Sequence, residues 1–159
     1  MKFIHATDTH LVPPGDMLCA LHPAKRLSKL VAQVNQSDND AEFLVLTGDL
    51  SYHGMEPAYR ALREILSKLS IPFHLLIGNH DDRESFKRIF PETATDEVGF
   101  VQYVVEYNVG VFIMLDTVEH EQSHGRSAPL ASVGWRINYR DTRIDQSIYF
   151  YITISNSFK

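Results

Sequence analysis

The most constraining feature of this chain is a series of polar motifs, each placed directly after a short apolar run. The motifs are Asp8-Thr9-His10, Gly48-Asp49 and Gly78-Asn79-His80-Asp81. The apolar runs have the length and composition of β-strands, and the continuous run over residues 42–47 suits a parallel strand covered on both faces. Because α/β folds place their ligands at the carboxyl ends of neighbouring strands, the pattern predicts that carboxylate, imidazole and amide groups gather at one edge of a sheet.

The segments between the motifs have helical periodicity, so strands and helices are expected to alternate. Apolar runs predict strands at Phe3-Ile4, 42–47 and 72–77, whereas residues 23–35 and the segment from Pro57 have apolar residues at helical spacing. A third, short helix is expected to be capped by Asp81 or Asp82 and to run through Phe90. This βαβαβα order predicts a largely parallel sheet.

The rest of the chain divides at about Arg126. Residues 101–107 and 111–115 flank Asn108-Val109-Gly110, which predicts a hairpin. Beyond Arg126 the sequence loses its clear periodicity, although residues 147–154 are aromatic and β-branched and resemble a strand. The expected organisation is one domain over residues 1–126 and an atypical tail over residues 127–159.

Composition and charge exclude several classes of function. A net charge of -5 in 159 residues argues against a surface that binds duplex nucleic acid, which would be basic. A small phosphorylated partner remains compatible, because bound metal would reverse the sign of the local field. No apolar run is long enough to span a bilayer, so no membrane partner is expected. The single Cys19 and the lack of a signal peptide before the first strand predict a cytoplasmic protein.

The motif residues have donor groups suited to divalent metal ions. Asp8 and His10 are two residues apart at a strand end, so their side chains are expected to point the same way and to share one cation. A carboxylate at Asp49 has two oxygens and is able to bridge two metals. The alternative for each residue alone is a turn or surface position, which is common for aspartate after glycine.

The third motif is the most specific of the set. Asn79 offers an amide oxygen to a second ion, and His80 is placed to face the substrate and donate a proton or hydrogen bond. Asp81 is expected to orient the His80 imidazole through its other ring nitrogen. The alternative is a glycine turn followed by a helix-capping aspartate. Three such motifs in order, each after a strand, favour a metal site.

These motifs resemble those of the calcineurin-like metallophosphoesterases, which have D-x-H, G-D, G-N-H-D/E, a lone His and G-H-x-H in order. The stretches FIHATDTHL, TGDLSYHG with EPAYRALREIL, and IPFHLLIGNHDDRESF are similar to bacterial class III cyclic-nucleotide phosphodiesterases and related glycerophosphodiesterases. The resemblance covers residues 1 to about 126. It implies an α/β fold, the N-terminal half of an α/β-β/α sandwich with a mixed sheet and flanking helices.

The resemblance also implies functional roles. Two divalent ions (iron, manganese or zinc) would be held by Asp8, His10, Asp49 and Asn79. Substrate contacts would come from His10, Asp49, Asn79 and His80, and catalytic roles would fall to His80 and Asp81. The implied reaction is hydrolysis of a cyclic nucleotide, a glycerophosphodiester or another phosphate ester by water activated between two metals. A homo-oligomer is one alternative for the assembly state.

The sequence departs from the family pattern in two places. Tyr52 stands where many relatives have an acidic residue, and the lone His and G-H-x-H elements are absent. A reading-frame shift after Arg126 is the expected cause, since the shifted frame permits the helix and histidine-ended strand of the family. We therefore expect weak or no turnover and an incomplete second metal site. The alternatives are an inactive metal- or nucleotide-binding remnant and a pseudogene product without a stable fold.

Overall fold

The computed structural model describes residues 1–108, 110–116 and 118 and the backbone of residues 148–152. Six strands and three helices lie in this part of the chain. In chain order they are β1 (Ile4–Ala6), α1 (Pro23–Ser37), β2 (Leu44–Thr47), α2 (Glu56–Leu66), β3 (Phe73–Leu76), α3 (Arg83–Ile89), β4 (Tyr103–Tyr107), β5 (Gly110–Leu115) and β6 (Ile148–Ile152).

Strands β1, β2 and β3 form a parallel sheet with β2 in the centre. Side chains of β2 alternate between two cores, as the two-residue period of a strand requires. Leu44 and Leu46 face a core shared with the three helices, whereas Val45 and the preceding Phe43 face a second core with Phe112 of β5. This double burial explains the continuous apolar run in the sequence.

Strands β4 and β5 pair antiparallel, and β6 pairs parallel to β5, in a second sheet. The predicted mixed α/β architecture and the hairpin are therefore confirmed. The predicted short helix is α3, and Asp82 rather than Asp81 is its N-cap, because the Asp82 carboxylate accepts a 2.7 Å hydrogen bond from the Ser85 amide.

A buried ion pair joins α3 to the end of β5. The Arg83 guanidinium donates to both carboxylate oxygens of Asp116 at 2.7 and 2.9 Å and to the carbonyl of Val118. The Arg83 side chain is 9% exposed and that of Asp116 is fully buried. This pair fixes the residues that follow the third motif against the second sheet.

The predicted domain boundary at Arg126 lies outside the described residues, as does the tail apart from β6. The boundary and the frame shift both stay predictions. Among the helices of the described ranges, none has the combination of length and apolar character that crossing a membrane requires.

Candidate metal centre

Asp8, His10 and Asp49 converge at the carboxyl-terminal edge of the parallel sheet. The Nε2 atom of His10 lies 3.7 Å from Oδ1 of Asp8 and 3.8 Å from Oδ2 of Asp49. One ligand atom from each residue falls within 4.8 Å of the others. Metal–ligand bonds of about 2.0–2.2 Å place the ligands of one ion roughly 3–4 Å apart, so these separations suit a shared divalent cation.

The backbone at these residues is in an uncommon conformation. Asp8, His10 and Asp49 have φ angles of 55°, 43° and 47°, which lie in the left-handed region. Such residues cost free energy and cluster at functional sites, although aspartate and histidine tolerate the region better than most residues. Hydrogen bonds hold the two loops together, because the amide of Asp8 donates to the Gly48 carbonyl and that of His10 donates to the Asp49 carbonyl.

The third motif approaches Asp49 so closely that only glycine fits at position 78. A Cβ atom on Gly78 would lie 2.3 Å from Oδ1 and 2.4 Å from the backbone nitrogen of Asp49. The amide of His80 donates a 3.1 Å hydrogen bond to the same Oδ1. Asp49 therefore has one oxygen toward His10 and the other toward the third motif. Asn79 is exposed and stands in the sequence between Gly78 and His80, both of which contact Asp49.

The His80 imidazole stands beside His10, with ring centroids 5.0 Å apart. Its Nδ1 lies 3.0 Å from the backbone carbonyl of Tyr52. Because a carbonyl only accepts hydrogen bonds, Nδ1 carries the proton and Nε2 is the other ring nitrogen available to a ligand. The Tyr52 ring stacks on the His80 ring at a centroid distance of 5.3 Å. Tyr52, the departure from the family pattern, thus contacts His80 through its carbonyl and its ring.

The structure corrects the predicted contact between Asp81 and His80. The Asp81 carboxylate accepts hydrogen bonds from the amides of Leu50, Ser51 and Gly78, at 2.8–3.0 Å, and from the hydroxyl of Tyr59. Burial raises the pKa of this carboxyl to about 6, and the donors act in the opposite direction. Asp81 therefore holds the loops together, whereas the Tyr52 carbonyl takes the contact with the imidazole.

The donor set fits a divalent cation. Two carboxylates and an imidazole are ligands that iron, manganese and zinc accept. The Nδ1 atom of His10 is buried and has no hydrogen-bond partner among the described residues. A ligating histidine normally donates this second nitrogen to an outer partner, so the described part of the chain supplies the ligands without the full outer shell.

Sequence reasoning missed Tyr59 as a residue of this region. Tyr59 is one of the apolar residues at helical spacing in the segment from Pro57, which predicts burial alone, and its side chain is indeed fully buried. A buried phenol needs a hydrogen-bond partner, however, and this requirement was the available signal. The hydroxyl donates to Asp81 and accepts from the amide of Asp82.

Comparison with known proteins finds a matching family and several similar proteins. A family profile described as calcineurin-like phosphoesterase matches residues 1–146. The chain is 44% identical over 118 residues to a probable cyclic nucleotide phosphodiesterase of Rhodopseudomonas palustris, covering 74% of this chain and 43% of that protein.

Two further relatives are named for different activities. A cAMP/cGMP dual specificity phosphodiesterase of Mycobacterium tuberculosis is 30% identical over 138 residues, which are 83% of this chain and 42% of the relative. A probable glycerophosphodiester phosphodiesterase of Arcobacter nitrofigilis is 28% identical over 95 residues, covering 58% and 34% respectively. The chain therefore spans less than half the length of these curated relatives.

Proposed function

The chain belongs to the calcineurin-like phosphoesterase family, and from this premise we propose that it carries part of a metal-dependent phosphodiesterase site for cyclic nucleotides or other small phosphodiesters. By itself it is expected to bind metal and to have weak or no turnover. The observation that carries the proposal is the convergence of Asp8, His10 and Asp49, whose ligand atoms lie within 4.8 Å of one another.

The first ion would be held by Asp8, His10 and Asp49, and the second by Asp49 and Asn79. When bound, divalent cations supply Lewis-acid chemistry that activates water and offsets the charge of the reacting phosphate. The two-sided environment of Asp49 supports its bridging role, since one oxygen faces His10 and the other accepts from the His80 amide. The second ion would have fewer ligands from this chain and would bind more weakly.

His80 would contact the substrate phosphate. The Tyr52 carbonyl fixes the proton on Nδ1, so Nε2 accepts a hydrogen bond when the ring is neutral and donates one when the ring is protonated. A protonated ring would stabilise negative charge on a phosphoryl or leaving oxygen. His10, Asp49 and Asn79 would complete the substrate contacts.

The identity of the ions, the compartment and the extent of the family-like segment are further parts of the proposal. Mixed carboxylate and imidazole ligation supports iron, manganese or zinc as the ions. The exposed and unpaired Cys19 is compatible with the cytoplasm as the compartment. We also propose that residues 1–126 form the family-like segment and that the tail arises from a shifted reading frame. Sequencing the gene tests this, because bases after codon 126 that cannot encode the family peptide in that frame would exclude it.

Calorimetric titration with Mn²⁺ or Zn²⁺ tests the proposed site, followed by an assay with bis(p-nitrophenyl) phosphate. We expect binding that Asp49→Asn weakens by about tenfold or more, since this variant removes a charged ligand. Asp16→Asn is the matched control because Asp16 is an exposed loop carboxylate. Equal metal binding by wild type and Asp49→Asn would contradict the proposed centre, and turnover at the rate of intact relatives would contradict the expected weak activity.

A further inference from the structure

We propose that Tyr59 is a positioning residue for the metal centre, holding the Asp49 and Asn79 loops in register through the buried Asp81 carboxylate. The proposal rests on the function proposed above. Tyr59 lies on α2, and within the described part of the chain its hydroxyl makes no hydrogen bond to a candidate metal ligand. Its effect on metal would therefore be transmitted through Asp81.

In the described part of the chain, the Tyr59 hydroxyl makes two hydrogen bonds, one with Asp81 of the third motif and one with the adjoining Asp82. Its hydroxyl donates to Oδ1 of Asp81 at 2.8 Å and accepts from the Asp82 amide at 3.0 Å. The side chain is fully buried, and its ring lies against Phe86 in an edge contact. Burial in this environment raises the pKa of the phenol far above its usual range, so it remains a donor.

The Asp81 carboxylate joins the loops on which the ligands lie. Its Oδ2 accepts from the amides of Leu50 and Gly78, and its Oδ1 accepts from the Ser51 amide. Leu50 directly follows Asp49, and Gly78 directly precedes Asn79. This one carboxylate therefore connects the backbone of both loops.

Tyr59 is the side-chain donor among these partners, since the other three are backbone amides. Among the described contacts, removal of the hydroxyl would leave Oδ1 with the Ser51 amide and would take the Tyr59 oxygen away from the Asp82 amide. Loss of a donor to a buried carboxylate is costly, so the carboxylate and the turn are expected to shift. Metal sites tolerate shifts of only about 0.5 Å in their ligands, so the expected result is weaker metal binding.

The test compares Tyr59→Phe with Tyr103→Phe. Tyr103 makes the same kind of contacts outside the motifs, because its half-buried hydroxyl donates to the Leu75 carbonyl and accepts from the Leu75 amide. Each variant loses a hydroxyl that donates one hydrogen bond and accepts another, so Tyr103→Phe controls for the loss of such contacts. At a temperature where both are folded, Zn²⁺ affinity by calorimetry should fall about tenfold in Tyr59→Phe and stay close to wild type in Tyr103→Phe.

Amide hydrogen exchange without metal gives an independent readout. The amides of Leu50, Ser51 and Gly78 should exchange faster in Tyr59→Phe than in Tyr103→Phe, because their acceptor is less firmly held. Equal Zn²⁺ affinity in Tyr59→Phe and wild type would overturn the role of Tyr59 and leave the metal centre intact. Absence of Zn²⁺ binding by wild type would instead contradict the proposed function, and this inference with it.

A further measurement applies if Tyr59→Phe does not fold. In the wild-type chain, the Asp82 amide donates to the Tyr59 hydroxyl and reports on that contact. If Tyr59 is coupled to the site, this amide should exchange more slowly when Zn²⁺ is bound. Unchanged exchange at Asp82, together with slower exchange at His80, would refute the coupling.

Discussion

Replacing Gly78 with alanine should damage the metal centre with little change elsewhere in the fold. The added Cβ would lie 2.3 Å from Oδ1 of Asp49 and 2.4 Å from its backbone nitrogen, whereas Cβ contacts in proteins essentially never fall below 3.0 Å. A new side-chain rotamer cannot relieve the contact with the backbone nitrogen, so the Asp49 loop would have to move by at least about 0.6 Å. This displacement exceeds the roughly 0.5 Å that a metal constellation tolerates.

The predicted result is a loss of metal affinity of about tenfold or more, comparable to the effect of outer-shell mutations at metal sites. Titration calorimetry with Zn²⁺ measures it, below the unfolding temperature of each variant. Gly99→Ala is the control, because it also adds a methyl group and strains a backbone with a φ of 92°, while among the described residues its Cβ would meet the flexible Lys87 side chain at 3.4 Å and no candidate ligand. Zn²⁺ affinity in Gly78→Ala within twofold of the Gly99→Ala value would refute the steric argument.

Two further predictions concern stability. Arg83→Met should lower the free energy of unfolding by about 3–5 kcal/mol, because it leaves the fully buried Asp116 carboxylate without its cation. Urea unfolding measures this loss, and a value below about 1 kcal/mol would contradict the prediction. Burial lowers the pKa of His74 below its usual 6.5. As pH drops below 6.5 the unfolded chain binds a proton at this residue before the folded chain does, so the free energy of unfolding falls. His74→Phe should therefore show a smaller loss of unfolding free energy than wild type between about pH 7.5 and about pH 5, and an unchanged loss would contradict the assignment.

The sequence predicted the edge of the sheet on which the candidate ligands converge. Asp8, His10 and Asp49 each follow a strand, and parallel strands bring their carboxyl ends together regardless of the details of packing. The continuous apolar run of β2 likewise required burial on both faces, and the structure has a core on each side of it. These features depend on periodicity, which is visible in one sequence.

The contacts within the third motif were not predictable in the same way. The direction of the Asp81 side chain depends on the turn that follows Gly78, and backbone amides of Leu50 and Ser51 carry no sequence signal. The partner of His80 is the backbone carbonyl of Tyr52, which accepts from Nδ1, and the identity of the Tyr52 side chain gave no indication of this role. Side-chain identity therefore located the site, whereas backbone hydrogen bonds determined which residue supports which.

The central claim is that one divalent cation binds between Asp8, His10 and Asp49. Crystals grown with Zn²⁺ and measured at the zinc absorption edge test it most directly. The account predicts an anomalous peak about 2.0–2.2 Å from Oδ1 of Asp8, Nε2 of His10 and Oδ2 of Asp49. A zinc ion bound elsewhere, or these three atoms separated too widely to share one ion, would contradict it.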